Sequence, residues 1–93
     1  MIYVVAKLDI TNPQALTEYR EVAGPALAKH GGKPVAGAGA TTVLEGGASA
    51  PDTAAIFTFS DKESALAWIN DPELADVHDL RRSAGTSDIL LLG

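Results

Sequence analysis

Residues 54–80 read AAIFTFSDKESALAWINDPELADVHDL, and this stretch decides how the rest of the chain is arranged. Ala54 to Phe59 alternates as a strand, with Phe57 and Phe59 on one face and Ile56 and Thr58 on the other. Ser60-Asp61-Lys62-Glu63 then has the form of a capping box, with Ser60 as the cap and Glu63 reaching back. The helix it opens carries Ala65, Leu66, Trp68 and Ile69. Asp71-Pro72 restarts the helix, because Asp caps free N–H groups and Pro fits the first turn. Gly85 ends it, and a final strand is expected over Asp88 to Leu92.

Upstream, Ile2 to Leu8 is a strand whose two alternating sets, Ile2-Val4-Ala6-Leu8 and Tyr3-Val5, are both apolar. Asn12-Pro13 starts a helix. Leu16, Tyr19, Ala23, Ala26, Leu27 and His30 share one stripe of it, and Gln14, Thr17, Glu18 and Glu21 lie off that stripe. Pro25 lacks an N–H and crowds the carbonyl of Glu21, so a kink is expected there. Gly31-Gly32 closes the helix by allowing a left-handed residue after its end. Lys33 to Gly47 is expected to be a strand, with a bulge at its glycine-rich part, Gly37 to Ala40. Gly46 to Asp52 is a loop.

The order strand–helix–strand–strand–helix–strand predicts an α+β protein of ferredoxin-like βαββαβ form. Its four-stranded antiparallel sheet carries both helices on one face. Those helices cover only one side, yet the first and last strands are apolar on both. A second copy packed sheet against sheet resolves this, so a homodimer is expected.

The 93 residues are expected to form one domain spanning 1–93. Seven Lys and Arg against twelve Asp and Glu make the chain acidic, which argues against nucleic acid or anionic membrane as partners. With no cysteine there is no disulfide, thiolate nucleophile or zinc–thiolate site. No run approaches the roughly 18 apolar residues of a membrane span, and the start MIYVVAKLDI does not read as a signal peptide. The cytoplasm is the default compartment.

The segments HGGKPVAG, VLEGG and FSDKESALAWINDPELADVHDLR together resemble the domain-of-unknown-function family 1330, in the dimeric α+β barrel superfamily. The resemblance runs from Tyr3 to the last strand. Its most specific parts are Gly31-Gly32, Leu44-Glu45-Gly46 and the run Ala65, Trp68, Asn70, Pro72, Glu73 and Arg81. It implies a ferredoxin-like protomer and a face-to-face dimer, in a superfamily that includes monooxygenases and isomerases of small aromatic or carbonyl compounds. Two features depart from the family pattern: Ile69 stands where an aromatic is common, and small residues around Gly37 and Gly39 replace an arginine.

Arg81 is the most informative candidate. It falls on the stripe set by Leu74 and Val77, and a guanidinium there needs an anion or several carbonyls. Either it forks a ligand carboxylate at the floor of a pocket, or it pairs internally with a carboxylate such as Glu45 or snorkels to solvent. His78 flanks the stripe and is a proton-transfer candidate, or a half-exposed histidine on a helix edge. Tyr19 is the other catalytic candidate, and its hydroxyl needs a partner if buried. Tyr19, Trp68, His78 and Arg81 either line one pocket or belong to the core; His30, in the last turn of its helix, is a further ligand-binding candidate or a structural partner of the helix dipole.

Motifs for other chemistry fail. Gly37-Ala38-Gly39 lacks the third glycine and the following helix of a dinucleotide loop. The two histidines lack metal-ligand spacing, so no metal is expected. Ser49, Ser60, Ser83 and Ser87 have no nucleophile-elbow context. No axial histidine for haem is identifiable, and no cofactor is expected. The function expected is binding, with or without cofactor-free transformation, of a small carboxylate or carbonyl compound between sheet and helices; the alternative is a non-enzymatic structural or interaction protein.

Overall fold

The computed structural model describes residues 1–93. Four strands, β1 (Ile2–Ile10), β2 (Lys33–Ala38), β3 (Thr53–Phe59) and β4 (Gly85–Leu92), alternate with α1 (Pro13–Lys29), α2 (Lys62–Asn70) and α3 (Ala75–Ala84). A single 3₁₀ turn, Pro72–Leu74, joins α2 to α3. The strands form one antiparallel sheet in the order β2-β3-β1-β4. It is the α+β ferredoxin-like arrangement, with the second helical segment split in two.

All three helices pack on one face. Val4, Phe57 and Phe59 of the sheet bury against Ala26 and Leu27 of α1, Ala65 and Trp68 of α2, and Leu74. A second cluster joins Leu8 to Ala15, Leu16 and Ala84. The opposite face has no cover. Tyr3, Ile56, Leu90 and Leu92 stand there 39–53% exposed, and the register aligns Val5 with both Ile56 and Leu90.

The caps follow local chemistry. Asn12 accepts from the Ala15 amide at 3.2 Å. At the other end of α1, Gly31 takes φ +75°. This lets the Gly32 and Gly31 amides reach the Leu27 and Ala28 carbonyls at 2.9 and 3.0 Å, a Schellman closure. Asp71 accepts from the Glu73 amide at 2.8 Å. It also binds Lys29 Nζ at 2.7 Å and His30 Nε2 at 2.8 Å, tying the end of α1 to the α2–α3 junction.

Four expectations need correction. The cap of α2 is Asp61, not Ser60: its carboxylate accepts from the Ser64 amide at 2.8 Å. Glu63 therefore sits one position too early to close a capping box, and instead favours the helix dipole. Strand β2 stops at Ala38, where its pairing with β3 ends at the Ala38–Ala54 pair. Thr41 to Leu44 thus lie in a connection pinned by Thr41 Oγ1 on the Pro51 carbonyl (2.6 Å) and Thr53 Oγ1 on the Ala38 carbonyl (2.7 Å). The register irregularity falls between Pro34 and Ala36, not at the glycines. Finally, β4 starts at Gly85, three residues before Asp88.

That early start has a steric cause. The Thr11 and Asn12 amides both donate to the Ala84 carbonyl, at 2.9 and 3.0 Å, so the β1–α1 and α3–β4 junctions touch. At Gly85 a methyl group would overlap the Asp9 carbonyl and crowd Ile10 Cα. Gly85→Ala is therefore expected to cost about 1–3 kcal/mol of stability. Gly47→Ala, in open space, should stay within about 0.5 kcal/mol; urea denaturation compares the two.

Candidate functional site

Between α1 and the covered face of the sheet lies a cleft of about 270 Å³. Its origin is side-chain size. Where α1 presents Leu27 the gap to the sheet is filled, but Ala23 and Gly24 on α1 face Ala6 and Ala55 of the sheet, and small residues on both walls leave space. Leu16, Tyr19 and Phe57 line it together with the buried Trp68 and Arg81 and the half-buried Ser87, and the exposed Arg20 and Pro34 stand at the rim. No acidic residue and no histidine lines it.

Arg81 is 4% exposed, and none of the ion pairs in the structure includes it. Its neighbours are neutral. Nε donates to Ser87 Oγ at 3.2 Å, and Nη1 donates to His78 Nδ1 at 2.7 Å. The guanidinium carbon also lies 5.8 Å from the Tyr19 ring centre and 5.6 Å from that of Trp68. Arg81 does not meet Glu45, which is exposed in the β2–β3 connection.

His78 is 2% exposed and is not the half-exposed edge residue that helix spacing allowed. Its ring packs edge-on to Trp68, with centres 4.8 Å apart. Its partners define its tautomer. Nε2 lies 2.9 Å from the Trp68 carbonyl, which can only accept, so Nε2 carries the proton. Nδ1 faces Arg81, which can only donate, so Nδ1 is bare. The Trp68 carbonyl belongs to the last turn of α2, where carbonyls lack helical partners, and His78 satisfies it. Burial holds His78 below its ordinary value; the Trp68 carbonyl opposes this, and the charges of Arg81 and Arg82 reinforce it, with a smaller opposing pull from Asp79.

Of the residues singled out in the sequence, Tyr19, Trp68 and Arg81 meet in the cleft. His78 stands behind Arg81 with both ring nitrogens engaged, and acts on the cleft only through it. His30 lies elsewhere, bonded to Asp71 at the end of α1. The hydrogen bonds from Lys29 and His30 hold the Asp71 carboxyl well below the usual carboxylate range. Ser87 has no nucleophile-elbow context, yet it anchors Arg81. The signal was its place in β4: it alternates inward with Ile89 and Leu91 and pairs with Leu8. The indole N–H of Trp68 is buried without an acceptor, a cost of roughly 1–3 kcal/mol carried by a residue of the cleft.

The family described as domain of unknown function DUF1330 matches residues 1–93. The chain belongs to this family. A search of curated proteins finds no match. Solved structures share the fold. A protein of unknown function from Rhodopseudomonas palustris superposes with a TM-score of 0.81 at 19% identity, over 98% of this chain and 79% of that one. A dimeric ferredoxin-like protein of unknown function from a Jannaschia species gives 0.73 at 12% identity, over 99% and 97%. SnoaB, a cofactor-independent oxygenase from Streptomyces nogalater, gives 0.71 at 13% identity, over 99% and 90%. At these identities the likeness is one of fold.

The neutral His78 predicts a pH effect. Below its ordinary value near 6.5 the unfolded chain takes a proton that the folded chain refuses, so stability falls as pH falls through that range. Asp71 acts lower: its contribution, present above 3.8, is lost only as pH falls from there toward its depressed folded value. Urea denaturation at pH 7, 6 and 5 should show a decline of at most about 1.4 kcal/mol per pH unit. His78→Gln, which keeps a donor for the Trp68 carbonyl, should flatten it.

Proposed function

We propose that this protein is a cytoplasmic homodimer that binds a small carboxylate or carbonyl compound in the cleft between α1 and the sheet. The observation that carries the proposal is Arg81: a buried permanent charge lining an apolar cleft, with neutral protein partners and N–H groups to spare. An arginine kept only for structure would be expected to face a carboxylate, since an uncompensated buried charge is costly. Here the missing anion is assigned to a ligand. Tyr19 is the proton-transfer candidate within the cleft, and His78 a positioning residue for Arg81. Turnover without a cofactor accords with the fold of SnoaB, itself a cofactor-independent oxygenase.

The dimer rests on the uncovered face. Tyr3, Val5, Ile56, Leu90 and Leu92 make an apolar surface in a chain of 93 residues, which buries little of its area alone. The dimeric Jannaschia protein supports the same assembly.

Light scattering after size exclusion should give twice the 9.6 kDa chain mass. Leu90→Asp, half-exposed in the protomer, should shift the mass to one copy or precipitate the protein. For the ligand, thermal shifts against a panel of small carboxylates and carbonyl compounds should find stabilisers. Their effect should vanish in Ala55→Phe, which plugs the cleft from the sheet side. A flat panel would favour a structural or interaction protein instead.

A further inference from the structure

The cleft reading leaves two ligand chemistries open, and the inference here rests on that reading. We infer that the ligand is a monocarboxylate with a compact apolar body, seated carboxylate-inward on the free edge of Arg81. A guanidinium has five N–H donors. Ser87 takes the one on Nε, and His78 takes one of the two on Nη1. Three remain, one on Nη1 and two on Nη2, and they face a cleft with no acid in it.

A carboxylate matches that edge in shape and charge. It accepts two parallel hydrogen bonds from adjacent donors and cancels the single buried charge. A neutral carbonyl compound does neither. Filling the cleft with one would displace water from Arg81 and leave its charge uncompensated among apolar walls. A dianion fails in the opposite direction. Two further cations border the cleft, but Arg20 stands at the solvent-screened rim and Lys7 alternates in β1 with the outward Tyr3 and Val5, so inside the cleft a second charge would meet only the Tyr19, Thr53 and Ser87 hydroxyls.

The body of the ligand follows from the walls. Tyr19, Phe57, Leu16, Leu27, Ala6 and Ala55 present rings and methyl groups. About 270 Å³ holds roughly nine waters' worth of volume at about 30 Å³ each. That is near the lower end of small-molecule sites and suits a single ring or a short branched chain.

Benzoate is the probe, set against acetophenone and benzamide as neutral analogues of like size and phthalate and phenyl phosphate as dianions. Trp68 is the only tryptophan and lines the cleft, so its fluorescence and its indole N–H resonance report on this site. Benzoate is expected to move both signals and to bind about tenfold or more tightly than either neutral analogue. Arg81→Gln should erase that advantage, weakening benzoate while relieving acetophenone of the uncompensated charge. Should Arg81→Gln fail to fold, the ligand series on the unaltered protein decides alone.

Acetophenone binding as tightly as benzoate would overturn the carboxylate assignment and leave the cleft reading intact. Tightest binding by phthalate or phenyl phosphate would overturn the single-charge assignment in the same way. Benzoate binding that leaves the Trp68 signals unmoved would place the ligand elsewhere and overturn the inference. If no probe, charged or neutral, changes those signals, both the inference and the cleft reading fall.

Discussion

The hydrogen-bonded chain from the Trp68 carbonyl through His78 and Arg81 to Ser87 is the constraint on which the interior depends. It joins α2, α3 and β4 by three contacts, each with a defined direction. The Trp68 carbonyl ends a helix and needs a donor; His78 gives one and is thereby left with a bare nitrogen; Arg81 fills that nitrogen. A cation is thus held at depth by neutral groups, and its free edge is turned toward the space beside α1. Charge, tautomer and direction are linked, so each member of the chain can be read from its neighbours.

The rest of the molecule sorts by which side of the sheet it occupies. On the covered side, large residues of α1 and β3 meet and exclude water, as at Leu27 and Phe59, while small ones meet at Ala23 and Ala55 and leave the cleft. Core and cleft are therefore one interface, filled in one part and open in the other. On the uncovered side the alternation of β1 and β4 turns Tyr3, Val5, Leu90 and Leu92 outward. The same period of two that places Ser87 under Arg81 also places Leu90 in the open.

Much of this was legible in the residues themselves. The end of α1 at Gly31-Gly32, the caps at Asn12 and Asp71, and the two-faced strands all follow from short-range stereochemistry or alternation. The errors came where two adjacent residues compete for one role or where a partner strand sets the limit. Ser60 and Asp61 are both good caps, and one residue of offset separates a capping box from a simple one. Thr41 to Leu44 have strand-like side chains, but an edge strand extends only as far as its neighbour. Arg81 was identifiable by its position on an apolar stripe, whereas the hydrogen-bonded chain around it was not, since Ser87, which accepts from Arg81, and the Trp68 carbonyl, which accepts from His78, come from other elements.

The sequence by itself determined the order of elements, the α+β class, the inward placement of Arg81 and the apolar character of both sheet faces, because periodicity and capping are properties of neighbouring residues. Only the tertiary structure decided that His78 is neutral and spent on Arg81, that His30 belongs to Asp71, and that Arg81 has no carboxylate of its own. Those facts depend on which side chains from distant segments arrive within hydrogen-bond reach. Distances between segments are set by packing, not by spacing along the chain.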